Sequence, residues 1–169
     1  MNIMQELVIT NVRTTQYKDV NLNKIFDPDK HHKRCYEFQK SYVTQPYVSG
    51  EGKLTVTFYT LQPGKSNYQY HQHTGTEEVF YIICGTATLK TPKGDVIVTE
   101  GDVIVFPPNE NGAHMLTNHS AEPLVYLDVH TISSPEVIIY PDSGNVRVMA
   151  GNTQKSYKIE SEVNYLDGE

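Results

Sequence analysis

The chain has 169 residues and a mass of 19.2 kDa, with 38% hydrophobic and 20% charged residues. This length and composition are typical of one folded domain and argue against a disordered chain. Lys and Arg number 14 and Asp and Glu number 20, which gives a net charge of −6. An acidic balance argues against nucleic-acid binding, because phosphate neutralisation supplies most of that affinity.

The sequence shows no apolar stretch long enough to span a bilayer. Its N-terminal residues lack the basic start and apolar run of a secretory signal. The two cysteines, Cys35 and Cys84, do not make a disulfide framework, so we expect a reduced, cytoplasmic setting. We therefore expect no membrane partner and no nucleic-acid partner.

We expect one domain over residues 1–169, made of an N-terminal arm (1–50), a motif-bearing core (51–132) and C-terminal strands with a tail (133–169). Within the arm, Asn21–Phe38 is the stretch that could hold a short helix, and the basic cluster Lys30–Arg34 is expected to be a solvated loop. From Gly151 onward the sequence is polar, which predicts a mobile tail.

Short runs rich in Val, Ile, Tyr and Thr, separated by turn residues, predict a series of strands. In the run 53–61, Leu54, Val56 and Phe58 alternate with threonines, as in a half-buried strand. The other predicted strands are 78–84, 86–90, 95–99, 102–106, 124–129, 136–140 and 145–149. This spacing favours a β-sandwich or a β-barrel.

The predicted strand 78–84 is apolar on both faces, with Phe80 and Ile82 on one face and Val79 and Ile83 on the other. Such a strand needs cover on both faces. One face can line a barrel, and the other must lie under a second sheet, the N-terminal arm or another subunit. We therefore expect a homodimer, and cover from within the chain is the alternative.

Two histidines and a carboxylate are placed where they can converge. His71 and His73 are two residues apart, so on a strand they point to the same face. After a short Thr-Gly-Thr turn, Glu78 begins the next strand and can bring its carboxylate to the same place. Two imidazoles and a carboxylate are suitable ligands for a divalent transition metal. A further histidine, His114, follows a turn-rich stretch.

Two glycine-bounded motifs resemble those of the cupin superfamily. The first has Gly64 one position further upstream than usual, and the second has a longer turn than usual. Their residues are Gly64, His71, His73, Glu78 and Gly85 in the first motif, and Gly101, Pro107, Gly112, His114 and Asn118 in the second. The resemblance covers about residues 50–132.

The resemblance implies an all-β, double-stranded β-helix, also called a cupin or jelly-roll barrel. It also implies that His71, His73, Glu78 and His114 bind one metal ion. The chain is further similar to small bacterial single-domain cupins (monocupins) with turns like 111–114. That group is largely uncharacterised, and some members are labelled sugar-phosphate isomerases.

Three neutral imidazoles and one carboxylate would leave a divalent ion with a charge of about +1 and open coordination positions. Mn, Fe, Ni, Zn and Cu all fit this ligand set. The open positions suit a small anionic or hydroxy-carbonyl molecule. We therefore expect a metal-dependent enzyme acting on a small oxygen-rich molecule, of isomerase or dioxygenase type. The alternatives are a non-catalytic binding or sensing cupin and a vestigial barrel without metal.

The acid or base of such an enzyme is not identified by the sequence, and Tyr126, Asp128 and Glu110 are the candidates. A phosphate-binding cation is also not obvious at a barrel position, with Arg147 and Lys90 as the possible residues. This absence weakens the isomerase interpretation.

Several other residues near the motifs have expected roles. Gln69 could direct its side-chain amide toward the site, and Asn118 is expected to make turn hydrogen bonds. Cys84 is expected to be an inert buried thiol. Glu77 has the parity of a solvent-facing residue, and His130 is expected at the surface or in a supporting position.

Overall fold

A computed structural model describes residues 9–29, 34–44 and 52–168. The strands in these ranges are β1 (Lys18–Asn21), β2 (Glu37–Tyr42), β3 (Leu54–Leu61), β4 (Gln72–His73), β5 (Glu78–Cys84), β6 (Thr86–Thr91), β7 (Gly94–Thr99), β8 (Val103–Phe106), β9 (Met115–Thr117), β10 (Leu124–Thr131), β11 (Glu136–Tyr140), β12 (Asn145–Ala150) and β13 (Thr153–Lys158). A short helix, α1, spans Leu22–Phe26, and two 3-10 turns span Glu110–Gly112 and Ile159–Ser161.

The strands form two layers that enclose a barrel. One layer is a six-stranded sheet in the order β1-β2-β3-β10-β5-β8. The other consists of a four-stranded sheet, β13-β12-β11-β4, and a three-stranded sheet, β7-β6-β9. An isolated antiparallel bridge between His71 and His114 connects these two smaller sheets. This arrangement confirms the predicted all-β, double-stranded β-helix.

Each strand predicted from the sequence is present, with bounds that differ by at most two residues. The predicted short helix is α1, whose first turn is capped by the Asn21 side chain, which accepts from the Lys24 N–H. Strands β1, β2, β4, β9 and β13 were not predicted, because they are short or lack a clear alternation of apolar and polar residues.

The prediction of a mobile C-terminal tail is wrong over part of its length. Strand β13 pairs with β12 along its full length, from Thr153 opposite Ala150 to Lys158 opposite Asn145. All six residues of β13 are exposed, so the strand has no buried face. The missing apolar alternation explains why the sequence did not reveal it.

The barrel interior is packed with side chains from both layers. Leu61, Ile82, Leu116 and Leu124 are fully buried, and Phe80 is 2% exposed. Burial of each such side chain contributes roughly 1.5–3 kcal/mol to folding. Phe80 and Ile82 lie on the interior face of β5 together with Glu78, as the alternation of that strand predicted.

The outer face of the β5 and β8 strands is apolar and open to solvent in the described part of the chain. Tyr81 is 43% exposed, Val103 is 63% exposed and Val105 is 58% exposed. The described residues therefore leave much of this face uncovered. The homodimer expected from the sequence stays a prediction.

Two further expectations were a solvated basic loop in the first part of the chain and no segment that spans a membrane. Most of the basic cluster Lys30–Arg34 lies outside the described residues, and Arg34 itself is exposed. Among the residues that the structure describes, no helix has the length and apolar character needed to cross a membrane.

Candidate metal centre

Three chain segments bring the candidate ligands together at one end of the barrel. His73 lies on β4, Glu78 begins β5, and His114 precedes β9. The His71 N–H donates to the His114 carbonyl oxygen at 3.1 Å, and the His114 N–H donates back at 2.8 Å. The two histidines are thus direct cross-strand neighbours, a pairing that the sequence did not reveal.

The side chains of these residues converge. One ligand atom each from His71, His73 and Glu78 lies within 4.8 Å of the other two. The His114 Nε2 atom is 3.2 Å from Glu78 Oε2, and the His73 Nε2 atom is 3.8 Å from the same oxygen. His114 therefore adjoins the group formed by His71, His73 and Glu78 through its contact with the Glu78 carboxylate.

The outer nitrogen of two of these rings is held by a backbone carbonyl. His71 Nδ1 is 2.7 Å from the Gln69 carbonyl oxygen, and His114 Nδ1 is 2.9 Å from the Gly112 carbonyl oxygen. A carbonyl oxygen only accepts hydrogen bonds, so each Nδ1 carries the proton when the ring is neutral. Each Nε2 then presents its lone pair to the centre, as metal binding requires.

A buried carboxylate does the same for the third ring. His73 Nδ1 lies 3.3 Å from Glu136 Oε1. Glu136 is 2% exposed, and it also accepts hydrogen bonds from the Thr74 N–H and the Thr76 hydroxyl. The sequence analysis missed Glu136, because it lies on β11, far from both motifs, and no pattern marks it.

Two buried atoms at the centre have no hydrogen-bond partner. These are Glu78 Oε2 and His114 Nε2, which face each other at 3.2 Å. With the His114 proton on Nδ1, both atoms are acceptors, and a cation between them satisfies both. The donor set of three imidazoles and a carboxylate therefore fits a divalent transition metal.

The electrostatic surroundings favour the protonation states that bind metal at two of the ligands. Burial, reinforced by the neighbouring His114 and His73, lowers the pKa of His71 to about 3, so this ring is neutral. Burial raises the pKa of Glu78, but the adjacent imidazoles outweigh burial and bring the pKa below its ordinary value. Glu78 is therefore a carboxylate at neutral pH.

The pKa of His114 shifts in the opposite direction from that of His71. Burial lowers it, but the negative charge of Glu78 prevails and raises it above the ordinary value. A proton and a metal ion therefore compete for the same Nε2 atom.

The turn before His114 is fixed by close backbone packing. A Cβ atom on Gly112 would overlap the Pro107 carbonyl oxygen, so only glycine fits there. The Asn109 side chain accepts from the Asn111 N–H at 2.9 Å and closes the longer turn noted in the sequence. Phe106 stacks on the His114 ring with centroids 3.8 Å apart, which fixes the ring orientation.

The centre opens into a cavity of about 570 Å³. His71, His73 and Glu78 lie in its wall. The rest of the wall includes aromatic side chains from both layers, namely Tyr36, Tyr59, Tyr68 and Tyr140. A cavity of this size and lining suits a small molecule.

Asp128 and His130 lie in the same cavity wall, on β10. Asp128 is 3% exposed, and its Oδ1 is 3.0 Å from His130 Nδ1. Burial, together with the charge of Glu78, raises the pKa of Asp128 to about 7. His130 is half-buried beside the centre, which assigns it the supporting position rather than the surface.

The structure distinguishes among the other candidates for an acid or base. Tyr126 is fully buried in the core and receives a hydrogen bond from the Asn67 amide at 3.5 Å. Glu110 is exposed on the turn before His114. Neither residue lines the cavity, so Asp128 is the candidate that the structure places there.

Of the two basic residues considered for binding phosphate, only one lines the cavity. Arg147 lines the cavity from β12. Lys90 lies outside the cavity wall, and its Nζ is 2.7 Å from an Asp142 carboxylate oxygen. Lys40, on β2, is a further basic residue in the wall. The sequence analysis did not find Lys40, because the arm that contains it gave no clear pattern.

The remaining expectations have mixed outcomes. Gln69 supports His71 through its backbone carbonyl and lines the cavity, and the role expected for its side-chain amide stays a prediction. Cys84 is half-buried. Asn118 makes turn hydrogen bonds as predicted, donating to the Leu61 and Glu122 carbonyl oxygens. Glu77 is exposed, also as predicted.

Comparison with protein families identifies the fold. The family model described as "Cupin domain" matches residues 57–130, the stretch that includes both motifs. The chain contains a cupin domain. The resemblance inferred from the two motifs is thereby confirmed. The strands outside the match belong to the two larger sheets, β1 and β2 to the six-stranded sheet and β11, β12 and β13 to the four-stranded sheet.

Solved structures with the same fold align over about three quarters of this chain. One is a "putative sugar phosphate isomerase" from Acidithiobacillus ferrooxidans, with 21% identity, a TM-score of 0.69 and coverage of 76% of this chain and 81% of that chain. Another is a sugar phosphate isomerase of the cupin superfamily from Silicibacter pomeroyi, with 20% identity, a TM-score of 0.65 and coverage of 76% and 82%.

A third similar structure is a "predicted oxalate decarboxylase" from Thermotoga maritima, with 18% identity and a TM-score of 0.58. It covers 76% of this cupin and 100% of that chain. At these identities the three structures show a shared fold. A comparison with curated proteins found no match.

Proposed function

We propose that this cupin is a metal-dependent enzyme that moves a proton on a small oxygen-rich molecule, in the manner of an aldose–ketose isomerase. The observation that supports this most directly is the orientation of the three histidines. Each Nδ1 faces an oxygen acceptor, from Gln69, Gly112 or Glu136. The three Nε2 atoms are left for a metal ion.

His71, His73, Glu78 and His114 would bind a divalent transition metal, one of Mn, Fe, Ni, Zn and Cu. When bound, the metal polarises a carbonyl or hydroxyl oxygen of the ligand and makes the neighbouring carbon-bound hydrogen more acidic. The aromatic wall of the cavity holds the ligand and excludes bulk water.

Asp128 is the residue that we propose moves the proton. Isomerisation requires a group that removes a proton from the carbon beside a carbonyl and returns it to the neighbouring carbon. A pKa raised to about 7 lets Asp128 accept and donate that proton at neutral pH. The hydrogen bond with His130 holds the carboxylate in a fixed orientation.

The names of two similar structures support this choice of chemistry. The proteins from Acidithiobacillus ferrooxidans and Silicibacter pomeroyi are both named as sugar phosphate isomerases. A cavity of about 570 Å³ is within the usual range for small-molecule sites. We therefore propose sugars and sugar phosphates as the first ligands to test.

The test incubates metal-loaded protein with pentose and hexose phosphates in deuterium oxide. NMR then measures the exchange of carbon-bound hydrogen for solvent deuterium. We expect deuterium at the carbon beside the carbonyl. Asp128→Asn should lose the exchange while metal content, measured by elemental analysis, stays the same. Asp142→Asn is the matched control, because Asp142 is exposed and lies outside the cavity wall.

Other outcomes would identify other functions. Protein that holds only a trace of metal after purification without chelator would contradict the proposal. Thermal stabilisation by a sugar phosphate without any exchange would support a non-catalytic binding cupin instead. Oxygen uptake by the iron-loaded protein would support a dioxygenase-type activity.

A further inference from the structure

A basic side chain of the cavity wall, Arg147, has no part in the candidate metal centre. It lies on β12, opposite Ile138 of β11 and Ser156 of β13. All three of these residues line the cavity. Arg147 is half-buried. A charge that is partly shielded from bulk water acts more strongly on a nearby ligand.

The guanidinium group is held in place by neutral neighbours. One amino group of Arg147 donates to Gln154 Oε1 at 2.7 Å, and its central carbon is 5.7 Å from the Phe26 ring centre. Burial raises the pKa of the nearby Tyr140, and the positive charge of Arg147 acts against this shift. A guanidinium group has five N–H donors in a rigid fork, so these contacts orient the group and leave further donors for a ligand.

The charges in the cavity wall favour an anion once metal is present. Two basic residues, Lys40 and Arg147, share the wall with three acidic residues, Asp27, Glu78 and Asp128. A bound divalent cation reverses this balance and makes the cavity net positive. In the metal-free cavity the rigid fork of Arg147 supplies the local attraction for an anion, and a bound cation adds to that attraction.

We propose that Arg147 binds an oxyanionic group of the ligand, a phosphate or a carboxylate, while the oxygen atoms at the other end of the ligand lie at the metal centre. The planar fork of an arginine matches the oxygen pairs of phosphates and carboxylates. Lys40, on the six-stranded sheet, adds a second positive charge to the same cavity. The second half of the inference rests on the proposed function.

The first experiment tests the anion site without metal. Inorganic phosphate should raise the melting temperature of the metal-free protein above its value in sodium chloride of equal ionic strength. Arg147→Met should remove this difference. Arg13→Met, which makes the same substitution at an exposed residue outside the cavity wall, should retain it. Equal melting temperatures in phosphate and chloride for the unaltered protein would contradict an anion site.

The second experiment uses metal-loaded protein and three probes with one carbon skeleton: ribose 5-phosphate, ribonate and ribose. Their dissociation constants are measured by calorimetry. We expect Arg147→Met to weaken binding of one of the two anionic probes by about tenfold or more, the usual effect of losing a hydrogen bond to a charged group. Neutral ribose should be unaffected. The anionic probe that responds identifies the group as a phosphate or a carboxylate.

Elemental analysis and circular dichroism keep the two proposals separable. Normal metal content and normal folding of Arg147→Met, with anionic affinities within twofold of the unaltered protein, would overturn this inference and leave the proposed function standing. The same would follow if neither anionic probe bound more tightly than ribose. Absence of metal in the unaltered protein would contradict the proposed function, and the phosphate experiment would still decide the anion site.

Discussion

The two halves of the barrel interior are built from the same strands and serve different purposes. Along β10, Leu124 and Tyr126 are fully buried in the packed half. Further along the strand, Asp128 and His130 lie in the cavity wall. The pairing of this strand with β3 continues without a break from Leu124 to Thr131, and its register against β5 shifts only between Val125 and Tyr126. The difference between packed core and site therefore lies in the residue types.

The neighbouring strands change character at the same level. Strand β3 runs antiparallel to β10. Beside the packed half its buried residues are Leu61 and Tyr59, and beside the cavity they are Thr57 and Thr55, whose hydroxyls are buried without a hydrogen-bond partner. On β5, the interior residues change from Ile82 and Phe80 to Glu78, opposite His130 of β10. The packed half stabilises the fold through apolar burial, and the half with the cavity contains buried polar groups that lower stability.

The largest effect that we expect is the loss of metal when a residue in the half with the cavity is changed. In Glu78→Gln, a neutral amide replaces the one anionic ligand of the centre, so metal per chain should fall to a trace. Elemental analysis of protein purified without chelator measures this. Circular dichroism should show that the variant is folded, because the amide has the shape of the carboxylate. Retention of one metal ion per chain would contradict the centre described above.

The next effect is on stability in the packed half. Ile82→Ala removes a fully buried side chain and should lower the free energy of unfolding by about 2–5 kcal/mol. Urea denaturation measures this change. The metal content of the folded variant should stay at the value of the unaltered protein. A loss of metal equal to that of Glu78→Gln would mean that the two halves are not independent.

A smaller effect is expected from the carboxylate that holds His73. Glu136→Gln weakens the hydrogen bond at His73 Nδ1, and changes at such supporting residues usually lower metal affinity by about 10–100-fold. Competition with a coloured chelator measures the affinity. Glu77→Gln is the matched control, because Glu77 is exposed. Equal affinities for the two variants would show that Glu136 does not support the ligand.

The smallest effect on the folded chain is expected on the outer face of the barrel. Val103 is 63% exposed, so Val103→Lys should change the free energy of unfolding by about 0.5 kcal/mol or less. If the predicted homodimer covers this face, the substitution should give a monomer in analytical ultracentrifugation. A monomer already in the unaltered protein would show the homodimer prediction to be wrong.

Much of the fold followed from the sequence, because strands buried on one face alternate in polarity. The faces of β3 are an exception: Thr55, Thr57 and Tyr59 are buried, whereas Leu54 is 48% exposed, because the threonines lie at the polar end of the interior. The motifs also identified His71, His73, Glu78 and His114, and the structure brings these four side chains together. Strand parity accounts for the first three residues. The position of His114 followed only from the cupin resemblance, because its pairing with His71 joins strands that are far apart in sequence.

The rest of the site depends on long-range packing that one sequence does not show. Glu136 contacts His73 because β11 pairs with β4, and no local pattern encodes that pairing. The orientation of Asp128 required the register of β10 against β5. Lys40 is part of the cavity wall because β2 extends the six-stranded sheet, and the alternation in that strand is too weak to reveal its faces.

The hairpin of β12 and β13 has a consequence for how this protein can diversify. It supplies Arg147, Met149 and Ser156 to the cavity wall but none of the four candidate ligands. All residues of β13 are exposed, so changes there disturb little of the interior. Selection or engineering could therefore change the lining of the cavity through this hairpin while the four candidate ligands stay unchanged.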